Sequence, residues 1–298
     1  MSQKNDVSSI LDKLAERDAF FPVTTRPIQT LDGKRITGKV ATVRGDNGEP
    51  LGIVSPSYQV VSNEVAFSAF AKALSGIGVD LTGAEPLVEY SHGGAKTLVQ
   101  LILPSMVWDE PDGRGKTAFR MIMKNSYDGS WKLEAFGGGL RGACMNGQVF
   151  GNYMARYASR HVRSLSIEAA SSKIASAFDM WESNKLLWDQ MQNVRITDAD
   201  AFAVCAVYSK QPKMLDMGLD KARKEEAWGR TLNSVFKQWG LESKQMGSTL
   251  WSLYNALTHE ASHNDNGFTD VKASSRVRRE DDVSKVIEGV EFRRLLAA

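Results

Sequence analysis

Only two cysteines, Cys144 and Cys205, occur in the 298 residues, and neither belongs to a CxxC or Cys/His ligand spacing. Neither a disulfide framework nor a structural zinc site is indicated. Each thiol sits among Ala, Val, Gly and Met, as a small buried hydrophobe does. No run approaches the roughly 18 unbroken apolar residues of a membrane-spanning helix. The first 18 residues are polar where a secretory signal would be apolar. The expectation is a protein that stays in the reducing cytoplasm where it is made, with no membrane partner. Repeats are absent, and low-complexity sequence is limited to short polar runs at the ends. What remains, 42% hydrophobic and 24% charged residues, is ample for a large core without staples.

The net charge of +2 conceals an uneven distribution. Residues 1–112 carry ten Lys/Arg against fourteen Asp/Glu, residues 113–163 nine against two, and residues 164–298 eighteen against nineteen. A middle segment of charge +7 between weakly acidic flanks suits an extended polyanion, because phosphate contacts release counterions. The competing reading is a solvated basic surface.

Hydrophobic periodicity predicts an α+β fold, in which an antiparallel sheet of hairpins packs with helices and a helical C-terminal part follows. Residues 35–43 and 51–54 flank Asp46-Asn47-Gly48 as a hairpin. Ser62 and Asn63 cap a helix over 62–76, with Phe67, Phe70 and Leu74 on one face. A strand pair, 86–91 and 97–103, surrounds Gly93-Gly94. In the clearest hairpin, 117–124 and 130–136, Phe119, Met121 and Met123 alternate with Arg120, Ile122 and Lys124, so that one face is buried and the other carries charge. From about Asn146 the pattern predicts helix throughout. Ile167, Ile174, Trp181 and Trp188 form a seam that packs within the fold or between subunits. Thr197 and Asp200 match a capping box, and further helices fit 219–239, 246–263 and 281–297, with a polar linker over 264–275. The organisation read from this is an N-terminal segment 1–30, a core 31–210 and a helical region 211–298.

In a helix over 147–163, Asn152, Arg156, Arg160 and Arg163 share one face, while Val149, Tyr153 and Tyr157 occupy another. The guanidinium fork matches phosphate oxygens, and His161 adds a donor. Before this helix, Lys124-Asn-Ser-Tyr-Asp-Gly-Ser-Trp131 brings cation, amide and aromatic groups to one turn. Bases of a single strand stack on such rings. Strand alternation puts Trp131 in the core and leaves Tyr127 as the stacking candidate. Gly137, Gly138, Gly139 and Gly142 permit close approach to a ligand or a tight corner. Gly115-Lys116-Thr117 fails the phosphate-loop pattern, because Glu110 stands where its first glycine belongs. His259-Glu260-Ala261-Ser262-His263 is a literal HExxH, which would hold zinc between His259 and His263 with Glu260 activating water. Its third ligand would have to be a carboxylate such as Glu280 or Glu288, and a surface His/Glu pair on a helix end is the simpler reading.

The runs Gly52-Ile-Val-Ser-Pro-Ser-Tyr-Gln-Val-Val-Ser-Asn63, Asn125-Ser-Tyr-Asp-Gly-Ser130, Arg141-Gly-Ala-Cys-Met-Asn-Gly147 and Arg160-His161, with Trp251–His259, resemble the phage and plasmid family called domain of unknown function 932. The resemblance spans most of residues 35–265 and explains the Trp251–His259 stretch without a metal. It implies a role in DNA metabolism of a mobile element or in countering host defence. The strand-hairpin-helix order is also similar, at fold level, to single-strand annealing proteins of the Rad-fifty-two type. The resulting expectation is a non-enzymatic, cofactor-free protein that binds single-stranded DNA, or RNA, as a homo-oligomer such as a ring. In it Arg141, Arg156, Arg160, His161 and Arg163 contact phosphates, Lys124 and Lys132 line the groove, and Tyr127 stacks. The alternatives are an anti-defence module that binds a host protein, and a zinc hydrolase.

Overall fold

A computed structural model of the chain describes residues 2–110, 113, 115–142, 146–149, 157–159, 167–225, 228–263 and 272–298. Helix α1 (Ser2–Glu16) and strand β1 (Val23–Gln29) open the chain, both within the N-terminal segment 1–30. β1 pairs antiparallel with β2 (Arg35–Arg44), and β2 with β3 (Pro50–Val54), giving a three-stranded sheet. The Asp46-Asn47-Gly48 turn forms as its chemistry predicts, with Gly48 at φ +76°. Helix α2 (Asn63–Gly76) begins at Ser62, whose hydroxyl accepts from the Val65 N–H at 3.2 Å, and it buries Ala66, Phe67, Phe70 and Leu74.

Strands β4 (Glu85–Ser91), β5 (Lys96–Asp109), β6 (Lys116–Ser126) and β7 (Leu133–Arg141) run antiparallel in chain order as the body of a second sheet. Period-2 alternation places Val99, Leu101, Leu103, Phe119, Met121, Met123 and Ala135 on one face, in the main core. Opposite Phe119 in the ladder is Gly139. Helix α3 (Ile167–Asn193) packs on this face, its Phe178 and Trp181 rings 4.9 and 5.5 Å from that of Phe119, and Gly137, Gly138 and Gly139 lie inside β7. The glycine run is therefore part of a strand rather than a corner.

Where residues 147–163 are described, they are strand and not the expected helix. Two short strands, β8 (Asn146–Val149) and β9 (Tyr157–Ser159), pair with the same edge of β7, at 138–141 and 133–135. That edge is a row of backbone donors and acceptors needing partners, and meeting this need outweighs the helical side-chain pattern.

The α3 seam packs within the fold. Trp181 and Trp188 join Trp108 of β5 and Trp251 of helix α8 (Leu250–His263) at ring separations of 5.3–6.0 Å. Helix α4 (Asp198–Tyr208) starts at the predicted capping box, in which Asp200 Oδ2 also accepts from the Thr197 N–H at 3.0 Å. After the short α5 (Lys213–Met217), the long helix expected over 219–239 is instead two, α6 (Leu219–Glu225) and α7 (Arg230–Met246), with Gly229 as the N-cap of α7. The last predicted helix is likewise α9 (Lys272–Glu288) and α10 (Val290–Leu296), broken at Gly289. One apolar cluster runs from Ile10 to Leu295. Among the described residues no helix is long and apolar enough to cross a membrane.

The second face of the larger sheet does carry charge, as alternation predicts, but α9 lies over it. Leu98, Ile122 and Phe136 meet Ala273 and Val277, and Glu280 of α9 accepts from Arg120 at 3.0 Å and from Arg276 at 3.2 Å. Arg276 also donates to Glu89 at 2.9 Å, and Arg120 to Gln100 at 2.5 Å. Burial pushes the Arg120 guanidinium below its ordinary range, against the opposing pull of Glu280.

Candidate functional site

The turn between β6 and β7 is built by its own side chains. Asp128 Oδ1 accepts from the Ser130 N–H at 2.9 Å and its hydroxyl at 2.6 Å, Gly129 takes φ +73°, and the Trp131 N–H returns to Ser126 Oγ at 3.0 Å. Remote segments anchor it. Tyr58 donates to the Ser126 carbonyl at 2.7 Å, Thr42 of β2 to the Tyr127 carbonyl at 2.8 Å, and Gly52 of β3 leaves room for Asp128.

Within this turn the burial of the two aromatics is the reverse of that expected. Tyr127 is fully buried, 5.6 Å from the Phe21 ring, and its hydroxyl accepts from the Asn63 N–H at 2.9 Å. No base can stack on it in this arrangement, and burial pushes its phenol pKa up. Trp131 is half-buried, with Lys124 Nζ 5.3 Å and Lys96 Nζ 5.7 Å from its ring centroid. Lys132, beside it, is exposed. Lys96 lies 3.6 Å from Asp128. The alternation that assigned Trp131 to the core held for β7 itself, but Trp131 precedes the first residue of that strand.

Two predicted cations are engaged inside the protein. Lys124 is buried 2.8 Å from Glu134, its direct cross-strand neighbour. Arg141 is buried in a two-pronged pair with Glu110, one prong at 2.7 Å, and Gly115 leaves room for the Glu110 carboxylate. Neither faces a groove as arranged. With Arg120 held by Glu280, three of the nine cations of 113–163 are internal, so the charge read along the chain exceeds the charge presented outside. Arg156, Arg160, His161 and Arg163 lie outside the described residues, as does Cys144. By chain order Arg156 precedes β9 and Arg160 follows it. The other thiol, Cys205, is fully buried and pushed up in pKa by that burial.

The chain belongs to the DUF932 family. Residues 50–287 match the family described as domain of unknown function (DUF932). No curated protein and no solved structure matches the chain. In this DUF932 protein the HExxH run ends α8, with the His259 and His263 rings 4.6 Å apart. Glu260 is buried and accepts from Ser234 of α7 at 2.7 Å. Glu280, named as a third zinc ligand, is committed to Arg120 and Arg276. Among the described residues no three His, Cys, Asp or Glu side chains group as metal ligands.

Proposed function

We propose that this chain binds single-stranded nucleic acid, DNA by preference, at the Asp128–Lys132 turn, and serves strand annealing or protection in a mobile element. One observation carries the reading: Trp131, although packed on the cluster of Leu98, Ile122 and Phe136, is only partly buried, and the exposed Lys132 stands next to it. A base stacked on such a ring gains about 1–3 kcal/mol, and the exposed Lys132 offsets backbone charge. Annealing requires no catalytic step and no cofactor, only bases held apart from competing structure, and a homo-oligomer lengthens the tract held.

The test is fluorescence anisotropy of a labelled oligonucleotide over a salt series. Each phosphate contact contributes a slope of about −0.7 for a single strand. Trp131→Ala is expected to weaken binding at least fivefold without changing that slope, and Lys132→Glu to weaken binding and flatten it. A flat salt response in the wild type, or affinity unchanged in both variants, refutes the proposal.

A further inference from the structure

The β1–β2 hairpin stands clear of both cores. From Thr24 to Lys39 every residue is exposed except the half-buried Ile28, and Leu31 at the tip is fully exposed. Its turn is local: Gly33 N–H donates to the Thr30 carbonyl at 2.9 Å, and Thr30 N–H to the Lys34 carbonyl at 2.8 Å. Two-stranded ribbons without a core are marginal in water, so an ordered one calls for a partner.

Its chemistry says which partner. The ribbon carries Arg26, Lys34, Arg35 and Lys39 against a single acid, Asp32, which Lys34 neutralises at 3.2 Å. Among the described residues no carboxylate pairs with Arg26, Arg35 or Lys39. The ladder skips Thr37, Gly38 and Lys39 on β2, where Gly38 takes φ +73°, and such a bulge twists the strand and re-aims its side chains. Six residues separate Leu31 from Thr25, the partner of the buried Thr42, a reach of about 20 Å at roughly 3.3 Å per residue. The major groove of a duplex is about 12 Å wide and about 8.5 Å deep and admits a two-stranded ribbon. The root of the arm is fixed to the candidate site, through Thr42 on the Tyr127 carbonyl and Gly52 against Asp128.

We propose that the β1–β2 ribbon is a duplex-binding arm, with Arg26, Arg35 and Lys39 on phosphates and Leu31 as an apolar wedge at the base steps. With Trp131 at its root, the preferred substrate is a junction between duplex and single-stranded nucleic acid, the structure present at an annealing front. This rests on the proposed function for its single-stranded half only.

The test compares a fluorescein-labelled single strand, a full duplex and a duplex with a single-stranded overhang. The wild type binds the overhang substrate at least tenfold more tightly than the single strand. Arg26→Glu/Arg35→Glu/Lys39→Glu loses that advantage and lowers the duplex salt slope by about 2–3, at about 0.9 per phosphate, while single-strand affinity changes less than threefold. Leu31→Ala reduces junction binding and leaves the slope unchanged. Because the arm lies outside both cores, the thermal midpoint of each variant stays at the wild-type value. Unaltered junction binding in the triple variant overturns the arm and leaves the Trp131 site standing. Arm-dependent duplex binding without single-strand binding upholds the arm and overturns the Trp131 site. An oligomer that falls apart in the triple variant, read by light scattering, with nucleic-acid binding unaffected, assigns the ribbon to a second copy and overturns the proposal.

Discussion

Replacing Glu280 with Ala removes the carboxylate shared by Arg120 and Arg276 beneath α9. The side chains of Arg120 and Glu280 are 0% and 6% exposed, so water has little access to compensate. Breaking a buried ion pair costs about 3–5 kcal/mol, mostly from the charge left behind. The lower end applies here, because Gln100 still accepts from Arg120 and Glu89 from Arg276. A loss of about 3 kcal/mol lowers the thermal midpoint by about 6 °C in a chain of this size. Urea unfolding monitored by tryptophan fluorescence measures the loss directly. Arg120→Met combined with Glu280→Leu leaves neither charge uncompensated and is expected to recover most of the stability. A loss below about 1 kcal/mol in Glu280→Ala, or a double variant as unstable as the single, refutes the view that this ion network holds α9 on the sheet.

Two further predictions concern other points of the fold. A methyl group at Gly52 would lie 2.5 Å from the Asp128 Cα, a backbone atom that cannot swing aside, so Gly52→Ala is expected to cost about 1–3 kcal/mol and to weaken junction binding; an unchanged melting temperature and affinity refute the close fit. Burial, with His263 adjacent, holds the His259 imidazole below its ordinary value of 6.5. The unfolded chain therefore takes up that proton more readily, so the contribution to stability is complete above pH 6.5 and declines as pH falls from there toward the depressed folded value. Melting curves from pH 8 to 5 should show this decline, and a wild-type profile retained in His259→Gln would place its origin elsewhere.

The local rules of the chain are readable without a structure. Alternation in β5, β6 and β7, the Ser62 and Thr197 caps and the tryptophan seam of α3 all form as expected, because each depends on residues within a few positions of one another. The β1–β2 hairpin was not expected from the sequence, although Asp32-Gly33 is suited to its turn; Pro27 is a residue disfavoured inside a sheet. Residues 146–149 and 157–159 are strand where helix was expected because the open edge of β7 is supplied by the tertiary fold. The same distinction governs the site. That residues 113–163 are rich in cations is a property of the sequence; which of them meet solvent is not. Arg120 is neutralised by a glutamate 160 residues away and Arg141 by one 31 residues away, while Phe21 and Asn63 enclose Tyr127 and Trp131, four positions on, is only partly buried. Charge and aromatic content follow from composition and spacing, whereas burial depends on long-range packing, and burial decides whether a cation or a ring is available to a ligand.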